Sequence, residues 1–267
     1  MSIGLHMLLA WGVLAVVMAG LWALARARSN AGIVDVAWAF GTGLTAAWLL
    51  IADDTGDVGR RIVLGLMVGL WSARLGLYLF RRVMSEREDG RYTYMRAALG
   101  RREDALMFVF FQVQASWGLM FALPVWAAAH GITGPLTWLD FAGVAVWLVA
   151  LAGETVADRQ LARFRADPAN RGQVCRDGLW RYSRHPNYFF EWLLWVGYAL
   201  LAASGPMWWL AAAAVPVMYV FLTRITGIPH TEAQALRSRG EIYAAYQRTT
   251  SAFFPMPPTE LSQETSQ

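Results

Sequence analysis

The sequence predicts an all-α, polytopic membrane protein of seven transmembrane helices, with the N-terminus outside and the C-terminus in the cytosol. Three observations carry this expectation. First, the chain is 57% hydrophobic and 16% charged, with 14 Trp and a mean hydropathy of +0.35. A soluble domain has roughly 45–50% apolar and about 25% charged residues, so this chain has too little polar surface for water. Second, its apolar residues lie in continuous stretches close to the roughly 20 residues that cross a bilayer as a helix. Third, its basic residues crowd alternate connecting segments. Together these exclude a soluble enzyme, a disordered regulator and a collagen-like fibre. The single cysteine, Cys175, excludes an intramolecular disulfide framework and a Cys-rich metal or iron–sulfur site.

The predicted spans, in order, are Leu5–Ala25, Ile33–Ala52, Ile62–Phe80, Leu106–Ala129, Leu136–Glu154, Asn187–Ser204 and Pro206–Thr223. Ala23-Leu24-Ala25 resembles a signal-peptide cleavage site, but no basic residue precedes the long apolar run, so a retained first helix is expected. Barrel strands are excluded because the apolar stretches are continuous rather than alternating. The net charge of +4 comes from 23 arginines and no lysine. Each arginine is a planar fork suited to phosphates and carboxylates, but their spacing argues for membrane topology rather than nucleic acid. Loops one, three and five and the C-terminal tail hold 20 arginines; the opposite side holds two, Arg60 and Arg61, and Arg74 lies within the third span. The positive-inside rule places the arginine-rich side in the cytosol.

Two cytosolic segments are patterned rather than loose, Arg81–Ala105 and Thr155–Pro186. Within the second, Ala157–Arg165 is expected to be helical and Asp167–Asp177 to be a loop. Residues 1–258 form a single expected domain, followed by a disordered tail, Thr259–Gln267. Gly65, Gly69, Ala73 and Gly76 place small residues along the third span and predict close helix packing. Gly41-Thr42-Gly43-Leu44-Thr45-Ala46 fits the dinucleotide pattern G-x-G-x-x-A. It lies inside an apolar helix without a preceding strand, so it carries no weight. No cluster of Cys, His or carboxylates has ligand spacing, and no metal is expected.

Ionisable residues within spans are costly and default to functional candidates. Asp35, Arg74, Glu154, Glu191 and Arg224 all fall in the cytosolic halves of their spans, with Gln112 and Gln114 on the same side of the midplane. They predict one polar cavity open to the cytosol; interfacial snorkelling is the alternative, and it accounts best for Glu154 and Arg224. The run Gly178-Leu179-Trp180-Arg181-Tyr182-Ser183-Arg184-His185-Pro186-Asn187-Tyr188-Phe189-Phe190-Glu191 carries the most chemistry. Pro186 suits a first helical turn, which leaves Asn187 and Tyr188 beside helix N–H groups. Arg181, Arg184 and His185 add donors for an anion, and Asn187 and Glu191 share one face. This describes a pocket for an anionic cofactor with a polar head group. A basic interfacial anchor is the alternative, and it does not require the Asn187/Glu191 pair.

That run resembles the signature of the membrane steroid 5α-reductases and their bacterial relatives, and is similar to the matching segment of Δ14-sterol reductases and isoprenylcysteine carboxyl methyltransferases. Ile33–Trp38, Arg74–Leu79, Glu88–Tyr92, Ala157–Leu161, Gly227–Pro229 and Tyr243–Tyr246 also resemble blocks of the bacterial group. Phe190 stands where the group usually has Gly, which bears on packing at the start of span six. The resemblance implies an NADPH-dependent reductase, taking its cofactor from the cytosol and a lipophilic enone, most simply a 3-oxo-Δ4 steroid, from the bilayer. It implies cofactor contacts at Arg91, Tyr92, Asp158, Arg165, Arg171, Arg184, His185, Asn187, Tyr188, Glu191, Arg224, His230, Tyr243 and Tyr246. It also implies that Asp35 holds the substrate carbonyl, with Arg74 and Trp71 beside it. Aligning Arg74 with the family arginine leaves Trp71 where the animal enzymes have a tyrosine.

Hydride addition to an enone puts negative charge on the carbonyl oxygen, which a carboxyl donor in a dry site can stabilise. Asp35 is suited to this if neutral, and is a structural strut if paired with Arg74. Trp38, Trp71 and Phe40 are candidates to clamp a flat sterol, and Gln112 is a further candidate to line its site. The expected partners are this substrate and membrane lipids, in the inner membrane of a bacterium or the endoplasmic reticulum of a eukaryote. A methyltransferase using S-adenosylmethionine is the rival activity, although it would want two adjacent glutamates where this chain has the lone Glu232. A non-catalytic sterol-binding membrane protein is the second alternative.

Overall fold

The computed structural model describes residues 1–85 and 88–259; Glu86, Arg87 and the expected tail beyond Thr259 lie outside the described residues. Among the described residues there is no strand. The helices are α1 (Ile3–Arg28), α2 (Ile33–Ala52), α3 (Val58–Ser85), α4 (Gly90–Leu99), α5 (Glu103–Ala127), α6 (Trp138–Ala166), α7 (Pro186–Ala202), α8 (Trp208–Val220), α9 (Ile228–Arg239) and α10 (Glu241–Thr249). Helix is the required answer for apolar segments of this length, because it satisfies every backbone N–H and C=O internally where no water is present. Among the described residues, six stretches are long and apolar enough to cross a membrane: Ile3–Arg28, Ile33–Ala52, Val58–Ser85, Gly90–Ala127, Trp138–Ala166 and Trp208–Arg239. The chain is thus an all-helical, multi-pass membrane protein. The remaining expected span, Asn187–Ser204, corresponds to α7, whose 17 residues rise about 26 Å, at the short end of the roughly 17–25 residues that cross a bilayer.

The described residues form two compact units. The first is Met1–Phe141 with Tyr198–Ala214. In it α2 packs against α3 and α5, and α1 against α5 and α2. Small residues set these approaches. A Cβ on Gly76 would lie 2.6 Å from the Phe40 ring, and Cβ atoms on Gly41 and Gly118 would lie 2.6 and 2.7 Å from Leu14. Gly43 is pressed against Ser72 in the same way. The glycines of the apparent dinucleotide motif are therefore packing residues of α2. The expected close packing along α3 holds at Gly76, but Gly65 and Gly69 have nothing within 4 Å of a built Cβ and face away from the described residues.

Both arginines expected on the outer side are held inside this unit. Arg60 and Asp140 make a two-pronged pair, NH1–Oδ1 at 2.5 Å and NH2–Oδ2 at 2.8 Å, with side chains only 1% and 2% exposed. Arg60 also donates to the Leu201 carbonyl at 2.9 Å, and Asp140 Oδ2 accepts from the Thr137 amide and hydroxyl. Arg61 donates to the Asp53 carbonyl at 2.6 Å. The Asp53 side chain follows α2, where it accepts from Thr55, Trp126 and His130. Burial acts to raise its pKa, but the bonds from Thr55, His130 and Trp126 outweigh it and hold the carboxyl down to about 2.

The second unit is Ala142–Gly197 with Val215–Gln267. The expected helix Ala157–Arg165 is the continuous end of α6, and the expected loop Asp167–Asp177 contains one short turn, Pro168–Asn170. A further turn, Gly178–Arg181, opens with Gly178 at φ +56°, a left-handed conformation that glycine adopts without strain. Gln160 of α6 accepts from the Leu179 amide, and the Ala157 carbonyl accepts from the Trp180 indole at 2.9 Å. The packing question raised by Phe190 is answered on α6. Gly153 has no side chain, and the Phe190 ring occupies the place its Cβ would take. A five-residue π-helical turn, Phe221–Ile225, follows α8 and leads to α9 and α10.

The Arg60–Asp140 pair yields a stability test. Arg60→Leu strands a buried carboxylate and should lower unfolding stability by about 3–5 kcal/mol, whereas Arg60→Leu combined with Asp140→Leu should recover most of that loss. Thermal unfolding of the detergent-solubilised variants reads the difference; a double variant at least as unstable as the single one contradicts this account.

Candidate functional site

In the second unit, the residues around Pro186 are held by a chain of hydrogen bonds before α7 begins. Ser183 is fully buried; its hydroxyl donates to the Phe253 carbonyl at 2.9 Å and accepts from the His185 amide at 3.1 Å. The Arg184 amide donates to the Ser251 carbonyl at 2.8 Å. Pro186 then starts the helix, and Asn187 and Glu191 project one turn apart from the same side of it. Glu154 and Asp158 repeat that spacing on α6. Asn187 Nδ2 donates to Asp158 Oδ1 at 3.2 Å. Glu154, Asp158 and Glu191 are buried, and Glu191 Oε1 accepts from the Trp195 indole at 3.4 Å. Asn187 Oδ1 is buried and has no hydrogen-bond partner among the described residues. A buried amide oxygen without a donor is costly, so this acceptor fits a ligand that brings N–H groups. A carboxamide, which both donates and accepts, matches Asn187 in kind.

The second cluster of this unit is centred on Glu232 in α9. Arg184 Nε lies 2.6 Å from Glu232 Oε1, His185 Nε2 3.2 Å from it and the Tyr243 hydroxyl 3.4 Å from it, while Gln247 donates to Oε2 at 2.8 Å. Arg184 NH1 also donates to the carbonyls of Gln247 and Thr250. Its fork thus joins the start of α7 to α9, α10 and the segment after it. His185 stacks on Tyr188 with ring centroids 5.3 Å apart, and the Tyr188 hydroxyl lies 3.3 Å from that of Thr231. Burial pushes the His185 pKa down, against the opposing pull of Glu232. Tyr246 donates to the carbonyls of Trp180 and Ser183. Burial raises the pKa of both Tyr243 and Tyr246 well above the ordinary phenol range, so both remain neutral donors. Arg165, Arg171, Arg224 and His230 are exposed, and His230 Nε2 lies 3.1 Å from the Ile225 carbonyl.

In the first unit the sequence leaves Asp35 between a neutral carboxyl and a pair with Arg74. The structure gives it different partners, both from α4. The Tyr92 hydroxyl donates to Oδ1 at 2.6 Å, and Arg91 lies 3.2 Å from Oδ2. Arg91 and Tyr92, expected among the cofactor residues, stand beside Asp35. Asp89 sets their position: as the cap of α4 it accepts from the Arg91 amide at 2.9 Å, and it pairs with Arg82 at 2.6 Å. Burial acts to raise the Asp89 pKa, and the Arg91 and Arg82 charges with the Arg91 bonds bring it below the usual carboxylate value. Glu88 adds a second tether, accepting from the Ala31 amide at 2.8 Å.

The other candidates of this unit lie on α2, α3 and α5. Trp38 meets Trp71 and Phe121 edge-on, with centroids 6.0 and 5.9 Å apart. Phe40 packs on Gly76, Gln112 donates to the Ala15 carbonyl at 3.3 Å, and the Arg74 guanidinium lies 5.8 Å from the Tyr78 ring. Sequence reasoning did not include Glu232, Gln247, Asp89 or Glu88 among the site residues. The signal for Asp89 was legible as a capping residue immediately before Gly90; the convergence on Glu232 depends on tertiary structure and has no local signature.

Residues 21–250 match the model of a family described as protein of unknown function (DUF1295). An uncharacterized protein of Schizosaccharomyces pombe is 26% identical, over 88% of this chain and 75% of its own length. The matched region contains both Asp35 with its α4 partners and the whole run from Gly178 to Glu191. With most of its length matched, this chain belongs to the family of proteins of unknown function (DUF1295).

Proposed function

We propose that this protein is an NADPH-dependent membrane reductase of the steroid 5α-reductase type, which saturates the C=C bond of a lipophilic enone. The substrate class is a 3-oxo-Δ4 steroid and the product its 5α-dihydro form. The observation that carries the reading is the Asn187 side chain, whose amide nitrogen is engaged by Asp158 while its buried oxygen has no partner among the described residues. That acceptor, with Glu191 and Asp158 nearby in sequence register on their helices, suits the carboxamide of a nicotinamide. Tyr188 and His185 would border it, and the exposed Arg165, Arg171 and Arg224, with His230, suit its phosphates. When bound, NADPH supplies the hydride.

The chain's own residues would then bind, orient and polarise. Asp35 is the proposed carbonyl-side residue, and its role is to orient the Tyr92 hydroxyl and the Arg91 guanidinium. Both can donate to an oxygen as it gains negative charge, and the one Tyr92 proton, given to Asp35 Oδ1 here, would turn from Asp35 to that oxygen. The methyltransferase alternative is disfavoured at Glu232, because Arg184, His185, Tyr243 and Gln247 already converge on it. The proposed orientation puts the arginine-rich segments in the cytosol and the N-terminus outside, on the strength of the 20-to-2 arginine asymmetry. With Cys175 replaced by Ser, an impermeant thiol reagent on intact cells should label cysteines introduced at Asp57 and Gly134. Labelling at Arg91 instead would reverse the topology.

Cofactor titration tests the central residue. Asn187→Ala and Glu191→Ala should each weaken NADPH binding by roughly five- to a hundredfold, as expected when a buried polar partner is lost, with folding intact. Unchanged affinity in both variants removes them from the site, and binding of S-adenosylmethionine without NADPH rejects the reductase reading.

Turnover tests the carbonyl side separately. Tyr92→Phe removes the hydroxyl that Asp35 orients and should slow enone reduction on the order of 10²–10³, leaving NADPH affinity unchanged. Asp35→Leu should be slower than Asp35→Asn, since only the latter keeps a polar partner for Tyr92. Near-wild-type kcat in all three variants at saturating substrate excludes this cluster from the chemistry.

A further inference from the structure

Trp38 and Thr42 lie one turn apart on α2, and each has a buried polar atom without a partner. The Trp38 indole Nε1 and the Thr42 hydroxyl make no hydrogen bond among the described residues, and Thr42 is only 1% exposed. The indole has little freedom to search for a partner, because Trp71 and Phe121 hold it edge-on from two sides. Thr42 is the more telling of the two. A helical threonine ordinarily returns its hydroxyl to the carbonyl four residues earlier. Thr155, Thr223 and Thr231 do so here, with bonds of 2.7, 2.7 and 3.1 Å to Leu151, Tyr219 and Gly227. Thr42 does not, although the Trp38 carbonyl is at that position.

An indole N–H only donates, and a hydroxyl can donate and accept. A single acceptor oxygen presented to this face satisfies both groups. Apolar side chains pack close by: Trp71 and Phe121 against the Trp38 ring, and Leu14 against Gly41 and Gly118, where a Cβ on Gly118 would lie 3.6 Å from Thr42 Oγ1. The group that fits is therefore an oxygen carried by an otherwise apolar molecule. Asp35 lies seven residues before Thr42 and so on the same face of α2, two turns away, or about 10 Å along the axis. That separation is close to the length of a rigid four-ring skeleton.

We infer that Trp38 Nε1 and Thr42 Oγ1 form a second polar subsite, which binds a keto or hydroxyl oxygen at the end of the lipophilic ligand remote from its enone. The identity of that ligand rests on the reductase reading above; the subsite itself rests on the two unpartnered groups and their register with Asp35. The chain would thus prefer steroids oxygenated at both ends over those oxygenated only at the enone end.

Equilibrium binding of two steroids to the full-length protein in nanodiscs, without NADPH, tests this. One is a 3-oxo-Δ4 steroid with a 17-keto group, the other its 17-deoxy analogue. Trp38→Phe keeps the ring that packs on Trp71 and Phe121, and Thr42→Val keeps the shape of the side chain, so thermal unfolding should stay close to that of the wild type. The wild type should favour the 17-keto steroid by roughly tenfold, the worth of a well-made hydrogen-bonded contact. Each substitution should reduce that preference, and Thr42→Val should leave affinity for the 17-deoxy analogue unchanged. A wild type without preference, or a preference that both variants retain, overturns the subsite and leaves the reductase reading standing. A wild type that binds neither steroid overturns the steroid reading and the subsite together.

Discussion

A charge inside an apolar helical bundle must find its compensation in the protein, because neither water nor lipid supplies it. That constraint organises both units. In the first, Arg60 and Asp140 neutralise each other at 1% and 2% exposure, and Asp35 is met by an arginine and a phenol from α4. In the second, Glu232 gathers Arg184, His185, Tyr243 and Gln247. Each carboxylate draws together segments far apart in sequence, so the same contacts that neutralise charge also fix the chain's path. Buried ion pairs of this kind add little net stability over apolar packing, but removing one partner is severe. Their value to the fold lies in specifying which helix meets which.

The same constraint separates polar groups whose bonds are met within the protein from those with an unmet bond. Arg184 is basic and lies in the run with the most chemistry, yet its fork is engaged by Glu232 and by two backbone carbonyls. Asn187 has only one of its two amide ends engaged. Arg165, Arg171 and Arg224 remain exposed on the surface of their unit. Arg184 thus braces the segment that carries Asn187, and on the proposed reading Asn187, Arg165, Arg171 and Arg224 are left to meet the cofactor. The Asp35 cluster has the same layered form: Asp89 positions Arg91, and Arg91 and Tyr92 meet the carboxylate.

Much of this was legible in the sequence, because length and apolarity alone identify membrane helices. Expected spans one to five and seven, and the helical Ala157–Arg165 segment, follow from periodicity and composition; the sixth, Asn187–Ser204, corresponds to α7, whose 17 residues are one fewer than the span drawn from hydropathy. The partner of Asp35 was not legible. Arg91 and Tyr92 sit in a polar segment 56 and 57 residues away, and only the folding back of α4 brings them near. Small residues were ambiguous for a related reason. Gly76 and Gly65 look alike in the sequence, but one receives the Phe40 ring and the other faces nothing within 4 Å. Phe190 and Gly153 likewise form a large-and-small pair that neither position announces by itself.

The central claim is that a hydride passes from a nicotinamide cofactor to a lipophilic enone bound by this protein. Isotope transfer measures that directly. Purified protein in nanodiscs is supplied with a 3-oxo-Δ4 steroid and with NADPH deuterated at C4 of the nicotinamide, each C4 epimer in turn, and the steroid product is analysed by mass spectrometry and NMR. The account predicts one deuterium at C5, in the α configuration, from one epimer only. A steroid recovered unreduced with either epimer, or a reduced product without deuterium from both, contradicts it.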